Sequence, residues 1–221
     1  MHNSIKSNTI LHCPLCDSSP VNDYHRDAVR SYLQCNQCQL VFVPRRFHLS
    51  QANEKEIYDR HQNSPEDSGY RFFLSRLLTP LLSHVTPNSE GLDFGSGPGP
   101  TLSLMLSEEG HNMAIYDPFY APDTSVLKRT YDFITMTEVA EHLSAPRLEL
   151  DQLWGLLRPG GWLSIMTKLV IDEPAFAEWH YKNDPTHISF FSRETFKYLA
   201  QHWSTEVEFI GDDVILLQKP L

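Results

Sequence analysis

Gly95, Gly97 and Gly99 follow Asp93 at every second position, in the run Gly91-Leu92-Asp93-Phe94-Gly95-Ser96-Gly97-Pro98-Gly99. Glycines at this density permit a sharp turn and let backbone approach a ligand where a Cβ would clash. The residues after the run, Thr101 to Gly110, predict a helix with Gly110 as its C-terminal stop. The loop therefore joins a strand to a helix, where doubly wound α/β folds bind nucleotide-like ligands. The spacing differs from the dinucleotide fingerprint, since Pro100 occupies the position that would need glycine. A second acid, Asp117, ends the next predicted strand, His111 to Tyr116. An acid about 20 residues beyond such a loop is placed to accept hydrogen bonds from ribose hydroxyls.

A second cluster has metal-binding spacing. All four cysteines fall in Cys13-Pro14-Leu15-Cys16 and Cys35-Asn36-Gln37-Cys38. This double C-x-x-C pattern matches a structural zinc site in which four thiolates complete a tetrahedron. Tyr32 to Gln34 and Leu40 to Val43 predict strands flanking the second turn, as in a zinc ribbon. A module of about 45 residues has too little core to fold alone, so metal binding would supply much of its stability.

The chain resembles the class I S-adenosylmethionine (SAM)-dependent methyltransferases. Asp93 to Gly99 matches their first motif and Asp117 their second. Tyr131 to Val139 matches their fourth strand, followed by Glu141-His142-Leu143. Leu156 to Gly161 is similar to the turn before their fifth strand. The resemblance implies a Rossmann-like doubly wound sheet with an antiparallel last strand. It implies that Gly95, Gly97 and Gly99 approach the methionine end of SAM, with Phe94 beside them. Asp93 would orient the cofactor, Asp117 would hold the ribose with Pro118 and Phe119 beyond it, and Glu138 would face the reacting group. S-adenosylhomocysteine (SAH) would be the product. The sequence departs from the family in one place. Only fifteen positions separate Asp117 from Asp132, so the third-strand region is expected to be truncated. Phe119 and Tyr120 then either stack on the adenine or cover the sheet edge.

The elements that position these residues follow from the pattern. Residues 1–47 form the zinc-ribbon module, 48–87 a helical linker that caps the acceptor pocket, and 88–221 the SAM-binding domain. Ser50 caps a helix to about Asn63. Tyr70 to Val85 forms a second helix that Pro80 should bend or split. Val207 to Ile210 and Val214 to Leu217 form a closing hairpin. Between Trp179 and Phe191 lies a segment dense in titratable and aromatic side chains. Neutral imidazole suits a general base near neutral pH, so His187 is the first candidate, with His142, His180 and Tyr181 behind it.

The formal net charge of −10 disfavours a protein that grips phosphate backbones. The longest apolar stretch is too short to span a bilayer, and residues 1–7 hold no apolar signal core. The expectation is a cytoplasmic methyltransferase with a small-molecule acceptor and a structural zinc ion. Two other readings stay open. One is an RNA methyltransferase docking through Arg26, Arg30, Arg45 and Arg46. The other is an interaction protein that binds SAM without turnover.

Overall fold

The computed structural model describes residues 11–60 and 64–221. The first helix, α1 (Gln51–Tyr58), ends with Asp59 as its C-cap, short of the expected end near Asn63; the start of the zinc module before residue 11 lies outside the described residues.

A six-stranded sheet forms the centre. It contains β4 (Glu90–Phe94), β5 (Asn112–Tyr116), β6 (Tyr131–Thr137), β7 (Leu157–Met166), β9 (Val207–Ile210) and β10 (Val214–Gln218), in the order β5-β4-β6-β7-β10-β9. The first four strands are parallel. The closing hairpin is antiparallel and falls where the sequence predicts it. Strand β5 forms one edge, and the interval to β6 holds only a bridge between Asp117 and Ala121 and a 3-10 turn at Val126–Lys128. The third strand of the family pattern is missing, as the short interval requires.

Both faces of the sheet are covered, and alternation along the strands assigns the side chains. Phe133, Val214 and Leu216 face helices α2 (Ser68–Leu82) and α3 (Thr101–Glu108), packing with Leu74, Leu77, Leu81, Leu102 and Leu106. Ile134, Met136, Ile215 and Leu217 face the other way, toward α4 (Pro146–Leu156) and α6 (Arg193–His202). Period-two alternation in a strand places successive side chains on opposite faces. Ser192 caps α6 through a reciprocal capping box with Thr195. Asp67 caps α2 by accepting from the Gly69 and Tyr70 N–H groups.

Two expectations are corrected. Helix α2 is not split at Pro80 but continues to Leu82; only two helical residues follow the proline, so little helix lies beyond it to be disrupted. Strand β7 begins at Leu157, five residues earlier than predicted. The residues expected to form a turn there are drawn into the sheet by Gly160 and Gly161, which exchange hydrogen bonds with Lys219.

The N-terminal residues build a second sheet of β1 (Val21–Arg26), β2 (Ser31–Cys35) and β3 (Val41–Phe42), and its fourth strand comes from far along the chain. Strand β8 (Ser189–Phe190) pairs antiparallel with β3. Arg30 reinforces the junction. Its guanidinium is buried and donates to the carbonyls of Lys182, Asp184 and Pro185 and to the Tyr32 hydroxyl. Cys13, Leu15, Cys35, Leu40 and Phe42 share a core with Trp154, Phe196 and Trp203.

Gly91 sits where β4 crosses β6. A Cβ there would lie 2.4 Å from the Phe133 ring and 2.6 Å from the Met113 sulfur. Gly91→Ala is therefore expected to overpack the core and cost about 1–3 kcal/mol, measured as a lowered urea midpoint at unchanged slope.

Candidate functional site

The carboxyl ends of β4, β5 and β6 open into a cleft of about 740 Å³. One end is built on the glycine loop. The Gly95 and Ser96 N–H groups donate to the Tyr116 carbonyl, which folds the loop back over the tip of β5. Gly95 has φ +75° and its missing Cβ would strike Val139 at 2.4 Å, so it is glycine for both conformation and packing. Gly97 has φ +63° but nothing stands within 4 Å of where its Cβ would be. Its bare backbone faces the cleft.

Asp117 is buried and fixes this loop. One carboxylate oxygen accepts from the Gly97 N–H at 3.0 Å, and the other from Phe119 and Tyr120 at 2.8 and 3.0 Å. A carboxylate offers about four acceptor positions, so one remains for a ligand hydroxyl. Asp93 lies behind the loop, where it accepts from the Thr135 hydroxyl at 2.8 Å. Burial pushes its carboxyl up to about 6.

The other end of the cleft is acidic and imidazole-rich. Glu138 follows β6 with φ +53°, a costly conformation for a residue with a side chain. Burial, reinforced by the charge of Glu141, pushes its carboxyl up to about 8. A 3-10 turn at Ala140–His142 carries Glu141 and His142. Glu141 is fully buried and accepts from the hydroxyls of Tyr181 and Thr167, the latter at 2.9 Å. Burial raises its carboxyl as well. His187 reaches the same place from the segment before β8. Its ring stands 4.7 Å from His142, and its Nδ1 lies 2.7 Å from the Tyr181 carbonyl. Burial, helped by His142, lowers its affinity for a second proton.

Three buried polar atoms on the cleft wall have no hydrogen-bond partner among the described residues: Ser96 Oγ, Thr137 Oγ1 and Glu138 Oε1. Such atoms are costly unless a polar ligand or water satisfies them. No lysine or arginine lines the cleft among the described residues, whereas Glu54, Asp117, Glu138, Glu141, Glu149 and Asp184 do.

The structure thus brings together Phe94, Gly95, Gly97, Asp117, Pro118, Phe119, Glu138, His142 and His187 on one cleft. It does not bring Asp93, Gly99 or Tyr181 to that wall. Gly99 instead lies two residues before α3, its carbonyl accepting from the Thr101 N–H, and Tyr181 backs Glu141. His180 is exposed. Residues that sequence reasoning did not single out also line the cleft. They include Tyr58 of α1 and Tyr70 of α2, and also Glu141, which the sequence presents only within Glu141-His142-Leu143 and without a role of its own. The four cysteines converge at the base of the N-terminal sheet. Cys13 and Cys38 sulfurs lie 3.5 Å apart, and those of Cys16 and Cys35 3.3 Å apart. These separations suit four thiolates about 2.3 Å from one shared ion.

The methyltransferase domain model matches residues 60–203. The chain belongs to this methyltransferase family. No curated protein matches the methyltransferase. Two solved structures share its fold. One, from Burkholderia thailandensis, is 1,6-didemethyltoxoflavin-N1-methyltransferase with bound 1,6-didemethyltoxoflavin and SAH. It is 15% identical, with a TM-score of 0.52, and the match covers 90% of this chain and 100% of that one. The other is a SAM-dependent methyltransferase from Archaeoglobus fulgidus, 16% identical with a TM-score of 0.54, covering 75% of this chain and 99% of that one. Among the described residues no helix is long and apolar enough to cross a membrane.

Asp93 gives the site a pH signature. The buried carboxyl stays protonated up to about 6, while in the unfolded chain it ionises near 3.8. The folded methyltransferase holds the extra proton in this window, so stability falls as pH rises through it. In Asp93→Asn this loss is expected to disappear. The difference from the parent should change by up to about 3 kcal/mol between pH 4 and 7, read from urea unfolding at the two pH values.

Proposed function

We propose that this methyltransferase binds SAM in the glycine-loop half of the cleft and methylates a small molecule held in the other half. The observation that carries this reading is the convergence of Ser96 Oγ, Thr137 Oγ1 and Glu138 Oε1, unpartnered, on a cleft floored by bare Gly97 backbone. These groups fit a polar, hydroxyl-bearing cofactor. Bound SAM supplies a methyl group already activated on a sulfonium, so the protein's task is alignment and exclusion of water. Asp117 keeps the loop shaped and offers its last acceptor position to the ribose. Phe119 and Tyr120 cover the side where the third strand is missing. Glu138 faces the middle of the cleft. The acceptor's proton is handled by the group of Glu138, Glu141, His142 and His187, with His187 placed first.

The acidic lining supports a small acceptor over RNA, because carboxylates repel a phosphate backbone. The RNA reading also loses Arg30, which is buried and committed to loop carbonyls. We assign the cofactor domain to residues 88–221, the pocket cap to 48–87, and the zinc module to 1–47. Zinc held by Cys13, Cys16, Cys35 and Cys38 would keep the N-terminal sheet in place, and through β8 the position of His187.

Titration calorimetry with SAH tests the cofactor half. Micromolar binding is expected for the intact protein. Gly97→Val should weaken it at least tenfold by filling the bare floor, and Asp117→Ala should do the same by freeing the loop. Absence of SAH binding to the intact protein would sink the reading. Metal analysis tests the other assignment. One zinc per chain is expected, falling to none in Cys35→Ser, with a thermal midpoint lowered by several degrees or more.

A further inference from the structure

We propose that Glu141, His142 and His187 form a second metal site, one that takes a divalent first-row cation at the acceptor end of the cleft. Each of the three contributes a ligand atom within 4.8 Å of the other two, and Glu141 and His187 are buried. Two imidazoles and one carboxylate suit cations such as Mn2+, Fe2+ or Zn2+, and leave positions open for a ligand. All three residues line the cleft, so the open side faces the space assigned to the acceptor.

The surroundings are those of ligands held ready. A carbonyl oxygen can only accept, so the contact of His187 Nδ1 with the Tyr181 carbonyl at 2.7 Å places the proton on Nδ1. The contact of His142 Nδ1 with the Thr186 carbonyl at 3.2 Å does the same. In both rings the lone pair is then on Nε2, the arrangement in which metal-binding histidines are fixed by a backbone carbonyl behind them. Glu141 is oriented in the same manner, since the Tyr181 and Thr167 hydroxyls both donate to it. A further observation is independent of the trio. Glu138 Oε1, three residues before Glu141, is buried on the cleft wall without a hydrogen-bond partner among the described residues. A cation or its water would satisfy it. Asp184 also lines the cleft, with Oδ2 3.9 Å from His187 Nε2.

Glu138, Glu141 and Asp184 gathered with no lysine or arginine on the wall among the described residues make a place that suits a cation. The ion would hold an acceptor through an oxygen donor; with Nε2 of both imidazoles on the ion, neither ring could also take the acceptor's proton, and within the group named above that role would pass to Glu138. That use rests on the reading of the cleft as the methyl-transfer site, whereas binding of the ion does not.

The test uses the zinc-replete full chain, titrated with Mn2+ and followed by the free-ion electron paramagnetic resonance signal, and separately with Zn2+ under equilibrium dialysis. Thiolate sites select softer ions, so Mn2+ does not report on the four cysteines. One Mn2+, or one Zn2+ beyond the first, is expected per chain. His142→Gln/His187→Gln should weaken it at least tenfold while keeping the first zinc. Thr167→Val, which removes only a hydroxyl behind Glu141, should weaken it about 10-fold. If neither ion binds a second site, or if binding is undiminished in the double variant, the proposal fails. SAH binding without a second ion would overturn the metal site and leave the cofactor reading standing. A second ion without SAH binding would do the reverse.

Discussion

The buried guanidinium of Arg30 holds the two halves of this protein together. It lies in the turn that joins β1 to β2, yet its hydrogen bonds run to Lys182, Asp184 and Pro185. A buried positive charge is tolerated only when its donors are used, and removing part of such an arrangement costs several kcal/mol. Asp27 completes the set by accepting from the Tyr32 hydroxyl that Arg30 also contacts. The result is a fixed path for residues 182–190, reinforced by β3–β8 pairing and by the Ile188 N–H donating to the Glu141 carbonyl. His187 has its position because of these contacts. The N-terminal sheet is thus a wall of the cleft's supporting structure as well as the carrier of the four clustered cysteines.

The cleft itself is a balance of electrostatic costs. Glu138 and Glu141 are carboxylates in surroundings that disfavour their charge. A fold that keeps such groups next to two imidazoles and three unpartnered polar atoms is less stable than one with apolar residues there. Concentrations of perturbed acids in a concave site are where chemistry is expected. The strain at Glu138, with its positive φ at the end of β6, belongs to the same expenditure.

Much of this was legible in the sequence because the informative residues act locally. Glycine at 95 and 97, the acid at 117, and paired cysteines each carry their meaning within a few positions, whereas Asp93 lies behind the loop and off the cleft wall. The closing hairpin and the cap of α6 were equally local. Reasoning from sequence missed contacts made over long separations. Strand β8 has two residues, too few to show alternation, and its partner lies almost 150 positions earlier. Tyr58 and Tyr70 sit in helices whose sequence pattern does not mark them as lining a cleft. Arg30 looked like one more surface cation, since nothing in its neighbourhood announces carbonyls from residues 182–185. Pro80 misled for a different reason: a proline's cost depends on how many turns follow it, which the hydrophobic pattern does not fix.

The missing third strand leaves β5 as a sheet edge, and the chain beyond it is built for that role. Unpaired strand edges invite pairing with other chains. Strand β5 has only five residues, and Pro118 follows it almost at once, with Pro122 just past the Asp117–Ala121 bridge. Prolines lack the N–H that a growing ladder needs. The 3-10 turn at Val126–Lys128 packs against the strand. The shortened interval therefore serves colloidal safety as much as economy of chain. A protein that dispensed with an outer strand has replaced it with a short, kinked and capped border that offers a neighbouring molecule little to extend.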